Sequence, residues 1–135
     1  MPINFIKIYG ERNSGTNFIE QLIKKNCLDI NIFSSNYKGG TGWKHGYPDI
    51  KYFNEIDKTL YVFIIRDLEK WLKSMYYQPY SYQRPENIYN FINYKLKMED
   101  ERLDHDINTN PEEKDNIFNL RYKKLSKYLE FSKLV

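Results

Sequence analysis

Three groups of residues in this chain have the types and spacing for phosphate chemistry. The first is the stretch Gly10-Glu11-Arg12-Asn13-Ser14-Gly15-Thr16-Asn17. It follows an apolar run, Phe5-Ile6-Lys7-Ile8-Tyr9, and leads into Phe18 to Lys25, whose apolar residues recur at helical spacing. Strand, glycine-bounded loop and helix is a layout that turns backbone N–H groups and a helix N-terminus toward phosphate oxygens. Gly10 and Gly15 keep the G-x-x-x-x-G spacing of a nucleotide-binding loop, but Thr16 stands where that loop carries its lysine. This departure argues against ATP or GTP hydrolysis and toward a different phosphate ligand. The second group is Arg66, at the end of the apolar run Leu60 to Ile65, with Ser74 eight residues later. An arginine outside the carboxyl end of a strand can fork onto a phosphate, and a helical serine two turns on can add a hydroxyl donor. The competing reading pairs Arg66 with Asp67 or Glu69 on the surface. The third is His45, in Trp43-Lys44-His45-Gly46. An imidazole titrates near neutrality and can serve as a general base; the alternative is a surface turn histidine.

The elements that must position these groups alternate along the chain. Strands are expected over 4–9, 28–33 and 60–65, the last as a central parallel strand because it is apolar on both faces. Helices are expected over 16–26, 68–77, 87–98 and 117–134, with one or two helical turns between Pro48 and Ile56. Leu68, Trp71, Leu72 and Met75 form one apolar face; Ile88, Phe91, Ile92 and Leu96 form another; Phe118, Tyr122, Leu125 and Leu129 form a third. Residues 36–42 read as a glycine loop, Trp43 to Gly46 as the end of a short strand entering a turn, and 79–85 as an aromatic loop bounded by prolines. Residues 99–115 hold eight acidic side chains against Arg102 and Lys114, and are expected to form a solvated, mobile loop in which His105 is only hydrated. Strands separated by helices, with a phosphate loop after the first, imply a three-layer α/β fold with a parallel sheet and a mostly helical C-terminal part.

Composition narrows the classes. A chain of 135 residues supports one domain with one core: a binding part over 1–78 and a helical part over 79–135. The net charge of +3 is too small to imply a polyanionic partner, and the 13 tyrosines are scattered rather than arranged for base stacking, so no nucleic acid is expected. Residues 1–80 carry 11 basic and 8 acidic side chains and 81–135 carry 10 of each, so the small excess lies with the candidate phosphate groups. Cys27 is the only cysteine and reads as a small core residue at the end of the first helix. With no signal-peptide pattern at the N-terminus and no apolar stretch of spanning length, no membrane association is expected and the location reads as cytoplasmic.

Taken together, the segments resemble the P-loop sulfotransferase family, which uses 3'-phosphoadenosine-5'-phosphosulfate (PAPS) and releases the 3',5'-bisphosphate PAP. Asn13-Ser14-Gly15-Thr16 is similar to the family's K-S-G-T-type loop. Tyr61 to Arg66 followed by Ser74-Met75-Tyr76-Tyr77 is similar to its later strand, arginine and serine. Trp43-Lys44-His45-Gly46 looks like its lysine-and-histidine segment. The likeness covers about residues 4–78. It implies a cofactor site made of Arg12, Asn13, Ser14, Gly15, Thr16, Asn17, Arg66 and Ser74. In that site the amides of residues 14–17 and the hydroxyls of Ser14 and Thr16 hold the 5'-phosphate, Arg66 and Ser74 hold the 3'-phosphate, and His45 takes the proton of an acceptor hydroxyl. No metal is expected.

Two departures bear on catalysis. Asn13 stands at the family's loop lysine, so Arg12 or Lys44 must supply the positive charge at the leaving oxygen. The family's closing glycine loop has no counterpart after Ser74, and Arg121 or Lys124 is a candidate substitute on a helix that equally reads as a packed element with a solvated face. The chain thus reads as a minimal, truncated or relic form. The expected activity is sulfuryl transfer from PAPS to a hydroxyl on a small molecule or glycan. Tyr76, Tyr77, Tyr80 and Tyr82 are candidates for lining an acceptor pocket. The alternatives are a non-catalytic binding protein on the same scaffold and, less favoured, a nucleotide kinase.

Overall fold

The N-terminal apolar run becomes strand β1 (Phe5–Gly10) at the centre of a three-stranded parallel sheet, in an α/β protein. The computed structural model describes residues 2–33, 43–48, 56–79, 83–97 and 114–135. The glycine loop, most of the expected turns after Pro48, Tyr80, Tyr82 and residues 98–113, with His105, lie outside the described residues. Strand β1 runs directly into the loop, and helix α1 (Thr16–Asn26) follows. Strand β2 (Asn31–Ile32) pairs with the start of β1, and β3 (Thr59–Ile64) pairs along its whole length, from Phe5↔Thr59 to Gly10↔Ile64.

Residues Ile6 to Gly10 are all buried, as a strand covered on both faces requires. The expected central strand is therefore corrected. Among the described residues the sheet order is β2-β1-β3, so the apolar run around residue 60 forms an edge strand, with Leu60 and Ile65 exposed. Its apolar character serves one face, where Tyr61 and Phe63 pack against Tyr9 and, from the last helix, Tyr128 and Phe131. The expected strand over 28–33 shortens to the two residues that reach β1.

Helix α2 (Leu68–Tyr77) starts at Asp67, whose carboxylate accepts from the Lys70 backbone N–H at 3.0 Å. Helix α3 (Ile88–Asn93) is capped in the same way by Asn87, which accepts from the Asn90 N–H at 2.9 Å. It ends five residues short of the expected boundary. Tyr94 turns extended (ψ 135°), and the chain enters β4 (Leu96–Lys97), antiparallel to β5 (Lys114–Asp115). Leu96 still reaches the core, but from a strand rather than a helix face. Strand β5 likewise takes the end of the expected acidic loop into backbone pairing.

Helix α4 (Ile117–Ser132) carries the largest correction. The expected stripe placed Tyr122 and Leu129 inward, and both are exposed. The buried face is instead Ile117, Leu120, Arg121, Lys124, Tyr128 and Phe131, still at 3–4-residue spacing but rotated to include two charges. Arg121 explains the rotation. Its Nε lies 3.4 Å from Glu11 Oε2, Nη2 donates to the Arg66 carbonyl at 2.6 Å, and the guanidinium covers the Trp71 ring at 4.5 Å. One side chain thus joins the residue after β1, the second residue after β3, and α2. Trp71 belongs to a core of Met75, Tyr76, Phe91, Leu96, Ile117 and Leu120 that fastens α2, α3 and α4 together. No helix among the described residues is long and apolar enough to cross a membrane.

Arg121→Met should lower the unfolding free energy by about 3 kcal/mol, because it takes the guanidinium from a deeply buried carboxylate. The double variant Arg121→Met/Glu11→Gln should recover part of that loss. Urea denaturation of the two variants against wild type checks the sign and the non-additivity.

Candidate anion-binding cleft

Parallel pairing of β1 and β3 brings the residues after both strands to one edge of the sheet. There they border a cleft of about 560 Å³ lined by Arg12, Asn13, Gly15, Thr16, Asn17, Trp43, His45, Arg66, Ser74 and Gln78. Seven of these were expected cofactor contacts, and His45 the expected base. Ser14 and Lys44 do not line it, and Trp43 and Gln78 were not anticipated as lining residues.

The loop is held by its own backbone and by close packing. Ser14 Oγ donates to the Glu11 carbonyl at 2.6 Å, and the Ser14 N–H reaches the same oxygen at 3.2 Å. The serine hydroxyl therefore shapes the loop. A Cβ on Gly10 would lie 2.6 Å from Ser14 Oγ, 2.7 Å from Thr16 Cγ2 and 3.0 Å from the Ile64 carbonyl oxygen, so only glycine fits at the strand-to-loop bend. Gly15 (φ 102°) caps α1 without a side-chain acceptor, and the first turn has no acidic residue. The amides of that turn are thus suited to an anion arriving at the positive end of the helix.

Asn13 has a distinct task. It sits in the left-handed region (φ 59°), which asparagine tolerates better than most residues. Its side-chain amide donates to the Ser74 carbonyl at 3.2 Å and contacts Met75 Sδ at 3.5 Å, tying the loop to α2. Arg66 Nη1 donates to the Asn13 carbonyl at 2.8 Å. The surface pairing considered for Arg66 is not adopted: Asp67 caps α2, and Glu69 pairs with Lys73 at 2.6 Å. Trp71 Nε1 donates to the Arg12 carbonyl at 3.0 Å, so α2 holds two consecutive loop residues.

His45 enters from the segment beside β1, which forms a turn rather than the expected strand end. The Gly10 N–H donates to the Lys44 carbonyl at 2.9 Å, and His45 Nδ1 lies 2.7 Å from the Gly10 carbonyl. A carbonyl can only accept, so Nδ1 carries the proton and Nε2 is the acceptor nitrogen. Burial, with Lys124, Lys44 and Arg12 nearby, pushes the imidazole down to about 4, against the opposing effect of the Gly10 bond. The ring is neutral at physiological pH. Lys44 is turned away: its ammonium is bonded to Asn17 Oδ1 and lies 3.9 Å from Glu20 Oε2. Arg12 is 8% exposed and sits over the Trp43 ring at 5.1 Å, leaving it, rather than Lys44, as a cation lining the cleft. Tyr76 is buried, with its hydroxyl directed to the Pro85 and Glu86 carbonyls, and is not available as an acceptor-pocket residue.

Glu11 and Trp71 support the cleft without having been anticipated, and Arg121, expected either as a substitute for the closing loop or on a solvated face, is buried against both. The available signal was a carboxylate immediately after a buried strand, which calls for a buried cation elsewhere in the chain. No protein-family model, curated protein or solved structure matches the chain.

The depressed imidazole has a stability consequence with a fixed sign. Unfolding restores an ordinary pKa near 6.5, so between about pH 6.5 and 4 the unfolded chain binds a proton that the native ring refuses. Native stability should fall as pH drops through that window, by up to about 3 kcal/mol, and show no contribution from this group above it. His45→Gln should flatten the slope. The His45 ring resonance in the native protein should titrate near 4 rather than 6.5.

Proposed function

We propose that this chain binds PAPS and its product PAP in the cleft and transfers the sulfuryl group to a hydroxyl acceptor. The finer fold reading that accompanies this is a three-layer P-loop fold of sulfotransferase type. The observation that carries the proposal is the convergence, at one edge of a parallel sheet, of the α1 N-terminus, Arg66, Ser74 and a neutral histidine. The donor set fits a ligand with two separated anionic groups: amides and the Thr16 hydroxyl on the loop side, a guanidinium and a serine on the other. Thr16 in the place of a Walker lysine weighs against a nucleotide kinase.

PAPS would supply the activated sulfuryl group. The loop amides and Thr16 would hold its 5' end, while Arg66 and Ser74 would hold the 3'-phosphate. Arg66 can do this while retaining the Asn13 carbonyl, because its planar fork offers five N–H donors. His45 Nε2 accepts the acceptor hydroxyl's proton, and Nδ1 stays on Gly10 throughout. Bound anionic charge raises the imidazole from its low resting value toward the range where it is an effective base. Sulfuryl transfer, like phosphoryl transfer, otherwise asks the protein for positioning and charge neutralisation.

A second reading is binding without transfer. Asn13 favours it, because the residue at the usual lysine position is occupied with Ser74 and Met75.

Calorimetric titration with PAP, ATP and 3'-dephosphorylated controls should show saturable binding that prefers PAP. Arg66→Ala should weaken PAP by about 10- to 100-fold, the loss of a charge-assisted contact. A folded protein that ignores PAP would refute both readings.

A further inference from the structure

The link from β3 to α2 is the short stretch Ile65-Arg66-Asp67. Ile65 and Asp67 are exposed, and Arg66 between them is half-buried. The Asp67 side chain is committed to the start of α2, through the Lys70 N–H at 3.0 Å. The Arg66 carbonyl accepts from Arg121 Nη2 at 2.6 Å, so a donor from α4 holds the main chain of the link from 55 residues away. The same guanidinium faces Glu11 Oε2 at 3.4 Å through Nε and covers the Trp71 ring at 4.5 Å. Two edges of one planar fork and its face are engaged, which fixes its place as an ammonium on a flexible stem could not. On the far side of the link the Arg66 side chain reaches the cleft, with Nη1 on the Asn13 carbonyl at 2.8 Å. One arginine thus anchors the backbone of another.

We propose that Arg121 is a positioning residue for the 3'-phosphate: by fixing the Arg66 carbonyl it sets where the Arg66 side chain starts, and so the geometry of the Arg66–Ser74 pair. This rests on the PAPS reading given above. Arg121 is not a lining residue of the cleft and acts only through Arg66. A forked contact depends on the placement of its stem, and a misplacement of about 1 Å can cost up to about 100-fold where geometry is exacting. The loop side of the cleft has bonds that do not use the Arg121 fork. Ser14 Oγ and N–H meet the Glu11 carbonyl, the Gly10 N–H meets the Lys44 carbonyl, and Trp71 Nε1 meets the Arg12 carbonyl. Disturbing Arg121 therefore acts on one end of the ligand. The helical C-terminal part, outside the likeness over residues 4–78, governs the contact that separates PAP from an adenosine 5'-phosphate.

The test is calorimetric titration with PAP and adenosine 5'-monophosphate, which differ by the 3'-phosphate alone. Arg121→Lys keeps a cation for Glu11 but not the fork that also serves the Arg66 carbonyl. It should weaken PAP by about 5- to 10-fold, less than Arg66→Ala, because the Arg66 guanidinium is displaced rather than removed. Adenosine 5'-monophosphate should change by less than about 2-fold. In the Arg66→Ala background, Arg121→Lys should cost PAP nothing further. General loosening of the fold would instead weaken both ligands and would add to Arg66→Ala. Circular dichroism melts set a temperature at which each variant is folded, and Arg121→Met/Glu11→Gln carries the same comparison if Arg121→Lys is unstable. Equal losses for the two ligands, no loss for PAP, or a further loss in the Arg66→Ala background would overturn the Arg121 assignment and leave the PAPS reading standing. Failure of the folded wild type to bind PAP would overturn the PAPS reading, and this inference with it.

Discussion

Everything at the cleft depends on one buried guanidinium. Arg121 is the point at which α4 touches Glu11, the Arg66 backbone and the Trp71 ring together. Those three contacts fix the exits of the two paired strands and the helix that follows the second. A hydrophobic residue of similar volume could pack there, but it could not satisfy the Arg66 carbonyl or answer the Glu11 charge. Trp71 extends the same arrangement by donating to the Arg12 carbonyl, and Asn13 extends it again by reaching Ser74. The loop is thus restrained from α4 and α2 before any ligand arrives.

That restraint commits part of the loop's polar chemistry to the fold itself. Ser14 and Asn13 are used internally, and Lys44 is used against α1. The start of α1, with Gly15 and Thr16, and the guanidiniums of Arg12 and Arg66 line the cleft. Polar groups held in this way need not reorganise, which is the arrangement that stabilises developing charge most effectively.

Much of this was legible in the sequence, and the failures have identifiable causes. The β1-loop-α1 unit and the Arg66–Ser74 pair were readable because glycine spacing and helical periodicity are local signals. The loop's relation to α4 was not readable, since a buried Arg121 looks like a solvated charge until Glu11 is known to be buried opposite it. The rotation of α4 follows from the same blindness: apolar periodicity alone favours Tyr122 and Leu129 over Arg121 and Lys124. The edge position of β3 was hidden because one well-packed aromatic face produces the same run of apolar letters as burial on two faces. The early end of α3 reflects pairing between segments far apart in sequence, to which a helical pattern around Leu96 is insensitive. That Arg12 lines the cleft and Lys44 does not depended on Asn17 and Glu20, which no spacing rule connects to residue 44.

The bond from His45 to the Gly10 carbonyl gives the imidazole the status of a strand neighbour. Gly10 presents its N–H and its carbonyl to the same side, and the backbone of Lys44 and the ring of His45 answer them as an adjacent strand would. The ring is therefore held with the rigidity of secondary structure rather than with the freedom of a surface side chain. A proton can come and go at Nε2 without disturbing that attachment, whereas rotation of the ring would break a rung of the sheet. The orientation of the imidazole is in this sense part of the architecture, inherited from the end of β1.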